Sequence, residues 1–231
     1  MSYAWRLTLA GILTVMGVGC MTGKYERPRE KTEWTISYRY DTDNAALPRA
    51  LLVGDSICNH YQPYVASALA GAATVSFYAS SKCVTDRSYQ KELRLFLEES
   101  DYAVVHFNNG LHSLSTPPKE WEKALRQAFR LVRRTRPDAA LIWCSSTPTR
   151  NAEQIEKVKA LNRIGAKVAA EFGAETNDLF ALMDPCDRDQ HWTDACHFTQ
   201  DARKMQAEQV AASIRAALAN RDARKGKGER P

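Results

Sequence analysis

Two short segments far apart in the 231-residue chain contain residue types that can perform nucleophilic catalysis. Gly54-Asp55-Ser56 follows an apolar run, and Asp194-Ala195-Cys196-His197 precedes a helical pattern. A serine hydroxyl becomes a nucleophile when an imidazole takes its proton, and a carboxylate can orient that imidazole. Each segment alone is also an ordinary loop, since Ser56 could merely cap a helix and Asp194 and His197 could be solvated. Together they indicate a serine nucleophile with a histidine base.

Both segments must be positioned by the elements around them. From residue 50 onward, apolar runs of strand length alternate with helical periodicities. The predicted strands are Ala50–Val53, Ala73–Phe77, Tyr102–Phe107, Ala140–Cys144 and Glu175–Leu179, and the predicted helices are Tyr61–Leu69, Tyr89–Glu98, Lys119–Arg134, Ala152–Phe172 and Asp201–Ala219. This alternation predicts an α/β fold, a three-layer sandwich with a central parallel sheet. Reactive groups of such sheets lie at the carboxyl ends of the strands, where both segments are expected.

The paired segments carry a resemblance to the SGNH, or GDSL, hydrolase family, over about Ala50 to Ala219. The resemblance implies a flavodoxin-like SGNH hydrolase fold. It also implies that Ser56 is the nucleophile, that His197 is the general base and acid, and that Asp194 orients the imidazole. Asp55 would stabilise the serine loop.

The resemblance further implies an oxyanion hole. Aligning residues 75–81 with the second family block places Ser81 at the glycine whose N–H normally donates to the oxyanion. The third block, His106-Phe107-Asn108-Asn109-Gly110-Leu111-His112, is similar to a family variant in which Phe-Asn-x-Gly-Leu precedes His or Trp. Asn108 is then the expected amide donor, and Asn109 is the alternative.

The N-terminal residues 1–20 have the pattern of a signal peptide. Arg6 precedes an uncharged apolar run, Leu7 to Val18, which is too short to span a bilayer. Small residues before Cys20 resemble a bacterial lipoprotein cleavage box, but Gly17 departs from it, so lipidation of Cys20 and simple secretion both remain open. Either alternative predicts an extracytoplasmic protein, periplasmic, lipid-anchored or secreted, that meets a membrane only through such an anchor.

The composition and the distribution of charge indicate how the rest of the chain is organised into domains. With 44% hydrophobic and 26% charged residues, the chain has the balance of one globular domain. We expect a polar leader at residues 21–47, an SGNH hydrolase-like domain at 48–219 and a basic disordered tail at 220–231. The net charge of +5 comes mainly from the chain ends. The predicted fold has no cluster of basic and aromatic residues, so a nucleic-acid partner is not expected.

The six cysteines have no zinc-type spacing, so neither a metal site nor a cofactor is predicted. Cys186 and Cys196 bracket the loop that carries His197 and are expected to form a disulfide, with free thiols as the alternative. Cys58 and Cys83 are a second candidate pair, and Cys144 is expected to be a buried free thiol.

Other polar residues in these segments are given lesser roles. His60 and His106 are expected to pack structurally, and His112 could line a pocket. His191 and Trp192 could form the rim of that pocket. The loop carboxylates could bind a cation, but solvation is the simpler interpretation; they are Asp184, Asp187 and Asp189.

The function expected from these features is an extracytoplasmic serine esterase. It would hydrolyse short-chain acyl esters, acetyl among them, of carbohydrates or similar polar substrates. Two alternatives stay open: an O-acyltransferase acting on an envelope polysaccharide through the same residues, and a non-catalytic envelope protein of the same fold.

Overall fold

The computed structural model describes residues 25–228, and side chains are described for residues 25–223. The expected signal peptide and the lipidation candidate Cys20 lie outside the described residues. Within the described part, no helix is both long enough and apolar enough to span a bilayer.

Six strands and seven helices make up the described fold. The strands are β1 (Thr35–Arg39), β2 (Arg49–Gly54), β3 (Thr74–Ser80), β4 (Tyr102–Phe107), β5 (Ala140–Cys144) and β6 (Glu175–Asn177). The helices are α1 (Ser56–Ala68), α2 (Arg87–Glu98), α3 (Pro118–Thr135), α4 (Ala152–Glu171), α5 (Leu179–Met183), α6 (Arg188–His191) and α7 (Gln200–Gly228).

The strands form one sheet in the order β1-β3-β2-β4-β5-β6. Strands β2 to β6 are mutually parallel, and their order is that of the flavodoxin-like doubly wound fold. The order reverses between β2 and β4, so the crevice at their carboxyl ends is the expected place for a ligand. The predicted α/β sandwich with a central parallel sheet is confirmed.

Alternate residues of the buried strands supply two separate cores, one on each face of the sheet. On one face Leu52 and Phe77 pack with apolar residues of α1 and α7, and on the other Val53 and Tyr78 pack with residues of α2, α3 and α4. Strands covered on both faces read as continuous apolar runs, which is why their positions could be predicted from the sequence.

The turn between β2 and α1 is tighter than the sequence pattern suggests. Helix α1 begins at Ser56, five residues before the predicted start, because the Asp55 side chain caps it and accepts a hydrogen bond from the Ile57 N–H at 2.9 Å. Asp55, not Ser56, is therefore the capping residue. Gly54 permits this turn, since a Cβ there would lie 2.4 Å from the Cβ of Cys58.

The predicted polar leader contains strand β1, which pairs antiparallel with β3, Thr35 opposite Ser80. Most of its side chains are exposed, so main-chain hydrogen bonds hold it at the sheet edge and hydrophobic burial contributes little. An edge strand of this kind lacks the apolar pattern by which strands are predicted from sequence. Arg27, almost fully buried, fixes the preceding segment through an ion pair with Asp86 at 2.9 Å.

The tail was expected to be disordered from residue 220, but α7 continues to Gly228. Its last turns contain Ala223, Arg224 and Lys225, whose helix propensity is high, together with Gly226 and Gly228, whose helix propensity is low. A helix already nucleated by packing can propagate through such residues.

Candidate active site

Ser56 is the first residue of α1 and lies directly after the carboxyl end of β2. Its Oγ is 2.8 Å from Nε2 of His197, and Nδ1 of the same ring is 2.7 Å from Oδ2 of Asp194. A carboxylate can only accept a hydrogen bond, so Nδ1 carries the proton and Nε2 accepts from the Ser56 hydroxyl. The structure thus brings together three residues that are up to 141 positions apart in sequence.

Asp194 is held as an anion by its own loop. Its Oδ1 accepts hydrogen bonds from the backbone N–H groups of Cys196 at 2.9 Å and His197 at 2.8 Å. Slight burial would raise the pKa of Asp194, but these two donors and the His197 ring outweigh it and hold that pKa well below its usual range. The carboxylate is therefore charged and fixed in orientation.

The loop from residue 192 to residue 198 is closed by packing. Trp192 and Phe198 form an antiparallel bridge, their rings lie 4.6 Å apart, and both are buried in the core. The Thr193 N–H donates to the His197 carbonyl at 2.9 Å, and the Arg150 N–H donates to the Ala195 carbonyl at 2.8 Å. These contacts place Asp194 and His197 at the end of a short hairpin.

The expected disulfide between Cys186 and Cys196 is absent, and both are free thiols. The Cys186 thiol donates to the Leu182 carbonyl, whereas Sγ of Cys196 lies 3.7 Å from Nδ1 of His197. The prediction failed because it assumed that the loop lacked packing, whereas Trp192 and Phe198 supply it. The alternative pair is also free, with Cys58 and Cys83 each buried; Cys144 is a buried free thiol, as expected.

Ser81, the expected oxyanion donor, already uses its N–H and its hydroxyl in other hydrogen bonds. Its N–H donates to the Trp34 carbonyl at 3.2 Å, and its Oγ accepts from the Trp34 N–H at 2.9 Å. The ladder between β1 and β3 therefore extends one residue past Ser80 and consumes the donor. The assignment of Ser81 is corrected on this ground: a strand within the predicted leader satisfies its backbone.

The two candidate asparagines play different parts. Asn109 is committed to loop structure, since its Oδ1 accepts from the Val84 N–H and the Ser113 hydroxyl while its Nδ2 donates to the Lys82 carbonyl. Asn108 donates to the Cys144 carbonyl at 2.8 Å and to Oγ of Ser146 at 3.1 Å.

Asn108 also lines a small cavity together with Asp55 and Ile57, the two neighbours of Ser56 in the chain. Asn109 does not line this cavity, so Asn108 is the asparagine that shares a cavity with the serine turn. Only its longer bond, to a hydroxyl that can rotate away, is readily exchanged.

The N-terminus of α1 offers a further donor. The first N–H groups of a helix lack intrahelical acceptors, and the helix dipole favours negative charge there. Asp55 accepts from the Ile57 N–H, whereas the Ser56 N–H has no acceptor among the described residues. Ser56 therefore presents its own N–H beside its hydroxyl.

His60 lies closer to the site than its expected structural role suggests. It is four residues after Ser56 on α1, hence on the same helix face, and its ring contacts the His197 ring edge-on at 5.1 Å. Burial lowers its pKa, with smaller effects from the charges of Arg203 and His197, so the ring is neutral at neutral pH. The spacing of four from the serine was the signal in the sequence.

The remaining candidate histidines have structural surroundings. His106 is fully buried, its Nε2 accepts from the amide of Asn177 at 2.9 Å, and burial lowers its pKa to about 3. His112 and His191 are both half-buried. Nδ1 of His112 lies 2.7 Å from a carboxylate oxygen of Glu30, and Nδ1 of His191 lies 3.1 Å from the carbonyl oxygen of Asp187.

The structure gives other surroundings to the residues that were expected to form a pocket rim or to bind a cation. Trp192, expected at a rim, is core. The loop carboxylates have protein partners: Asp184 pairs with Arg188, Asp189 pairs with Arg150, and Asp187 caps α6.

No protein-family model and no curated protein sequence matches the chain. Solved structures do match. A candidate SGNH hydrolase from Slackia heliotrinireducens is 17% identical with a TM-score of 0.59, over 73% of this chain and 99% of the other. The chain has the SGNH hydrolase fold.

Other proteins that match this SGNH fold have named activities. An acetylxylan esterase from Geobacillus stearothermophilus is 14% identical with a TM-score of 0.61, over 72% of this chain and 94% of its own. A lipase/acylhydrolase from Enterococcus faecalis is 15% identical with a TM-score of 0.59, over 73% and 96%. The SGNH core thus accounts for almost the whole length of these neighbours.

Proposed function

We propose that the protein is a serine esterase that hydrolyses short-chain acyl esters of polar substrates, acetylated carbohydrates foremost. The observation that carries the proposal is the hydrogen-bonded series from Asp194 through His197 to Ser56 at the carboxyl edge of the sheet. The named activities of the structural neighbours support ester hydrolysis, and acetylxylan esterases among them favour the acetyl group.

The proposed reaction follows from these distances. Ser56 Oγ attacks the ester carbonyl while Nε2 of His197, 2.8 Å away, takes its proton. The imidazolium that forms is stabilised by the Asp194 carboxylate, and it then gives the proton to the departing alcohol. Water, activated by the same imidazole, releases the acyl group from Ser56.

We propose two donors for the tetrahedral oxyanion. The Ser56 N–H is unpaired at the positive end of α1, and the Asn108 amide can exchange its bond to Ser146 for one to the oxyanion. Each such donor contributes about 2.7–4 kcal/mol to transition-state stabilisation in comparable sites.

We also propose, from the signal-peptide pattern at residues 1–20, that the esterase acts outside the cytoplasm.

The proposal is tested by kinetics on p-nitrophenyl acetate, longer-chain esters and acetylated xylooligosaccharides, with products identified by mass. We expect release of free acetate and a loss of turnover of at least about 1,000-fold in Ser56→Ala. Ser213→Ala, at a half-buried position of α7 where the hydroxyl donates only to the Val210 carbonyl, is the matched control and should retain turnover. Residual turnover above a few per cent in Ser56→Ala would overturn the proposal.

A further inference from the structure

The thiol of Cys196 lies against the histidine ring on the side away from Ser56. Its Sγ is 3.7 Å from Nδ1 of His197, the atom that also contacts Asp194. Sulfur, nitrogen and carboxylate oxygen ligand atoms of these three residues all lie within 4.8 Å of one another. The nitrogen and the oxygen take part in the proposed hydrolysis, whereas the sulfur does not.

The three atoms are spaced for a small dication that prefers sulfur and nitrogen. Zn–S bonds of about 2.3 Å and Zn–N bonds of about 2.0 Å at a tetrahedral angle separate sulfur and nitrogen by roughly 3.5 Å. The observed separation is 3.7 Å. Tetrahedral zinc would separate nitrogen and oxygen by roughly 3.3 Å, against 2.7 Å observed here. Asp194 can open this gap because its side chain is about half exposed.

Binding at these atoms combines a carboxylate oxygen with a sulfur and an imidazole nitrogen. The thiolate, not the thiol, is the form of cysteine that binds a metal. A metal that binds Sγ of Cys196 must therefore displace the thiol proton.

We propose that Asp194, Cys196 and His197 form an inhibitory binding site for a thiophilic dication such as Zn²⁺. The metal bonds to Sγ, to Nδ1 and to an Asp194 oxygen, and a water molecule can complete its coordination. One proton leaves the thiol for solution, and the proton of Nδ1 moves to Nε2. A ring with Nδ1 on the metal and a proton on Nε2 cannot accept the proton of Ser56.

The loss of turnover rests on the proposed esterase function, whereas binding itself does not. Binding is therefore measured first, with Co²⁺ as the probe, in the Ser56→Ala protein. We expect thiolate-to-cobalt charge-transfer absorption at one ion per chain, with release of about one proton. Cys196→Ala and Cys196→Ser should each abolish this absorption. Cys186→Ala, which alters a second partly exposed cysteine of the described part, should retain it.

Inhibition is then measured in the unsubstituted protein, which keeps Ser56. Saturating Zn²⁺ should lower kcat by about 100-fold or more, the scale of general-base catalysis, and a chelator should restore it. Cys196→Ala should lose this sensitivity relative to its own zinc-free rate. The proposal is overturned if cobalt absorption is missing in Ser56→Ala, if it survives in both Cys196 variants, or if zinc inhibits Cys196→Ala equally. Cobalt binding without esterase turnover would refute the proposed function and leave the metal site standing.

Discussion

At the scale of single residues, the proposed reacting groups could be read from the sequence, whereas the proposed oxyanion donors could not. Gly54-Asp55-Ser56 and Asp194 to His197 could be recognised from sequence because their chemistry is local: a serine after a strand and a carboxylate three residues before a histidine. The donors could not be recognised in the same way. Whether an N–H or an amide is free depends on distant partners, as the contacts of Trp34 with Ser81 and of Asn108 with Ser146 demonstrate.

The exchange proposed for Asn108 can be tested by removing the group that competes for its amide. Ser146→Ala deletes the exchangeable acceptor, so we expect kcat to stay equal or rise. Asn108→Ala removes the donor itself and should lower kcat by about 100- to 1,000-fold. Steady-state kinetics of both variants on p-nitrophenyl acetate check this, with thermal unfolding to establish that each is folded. Equal losses in the two variants would instead make the pair purely structural.

The pH dependence of hydrolysis follows from which groups remain fixed in charge. Asp194, whose pKa is held well below its usual range, stays ionised as the pH falls through mildly acidic values. Burial lowers the pKa of His60, so its ring loses its proton at a lower pH than an ordinary histidine does. Activity requires a neutral His197, so log kcat/KM should rise with slope one through a single ionisation. A slope of two between pH 4 and pH 8 would show that a second group titrates with it.

At the scale of elements, the loop that carries Asp194 and His197 is positioned by its hydrophobic ends. Its polar composition suggested a disulfide because the sequence does not reveal that Trp192 and Phe198 enter the core and pair across the hairpin. Strands covered on both faces were predictable from their apolar runs. Edge strand β1 was not, because its order comes from hydrogen bonds to β3.

A substitution that loosens the hairpin should reduce turnover by more than its effect on the free energy of unfolding explains. Phe198→Leu and Phe129→Leu both truncate fully buried rings, and each should lower the free energy of unfolding by about 0.5–3 kcal/mol. Of these two residues, Phe198 packs against Trp192 and helps to hold the Asp194 to His197 loop, whereas Phe129 packs with Phe107 and Trp143 in the other core. We expect kcat to fall in Phe198→Leu alone, measured well below both unfolding midpoints. Equal kcat in the two variants would contradict positioning by packing.

At the scale of the whole molecule, the doubly wound topology explains why the reacting residues meet. Strands β2 and β4 end at the point where the sheet order reverses, and α7 begins beside the same edge. The order of strands could be inferred from alternation and resemblance. The path of residues 25–40 past residues 75–81 could not be inferred from the sequence, because it is set by contacts such as the ion pair of Arg27 with Asp86.

The central claim is that Ser56 is a nucleophile activated by His197. The most direct measurement is reaction of the folded protein with a fluorophosphonate, followed by mass spectrometry of its peptides. The account predicts one adduct per chain, on Ser56, formed at least about 100-fold more slowly in His197→Ala. An adduct on another serine, or labelling of Ser56 at the same rate without His197, would contradict it.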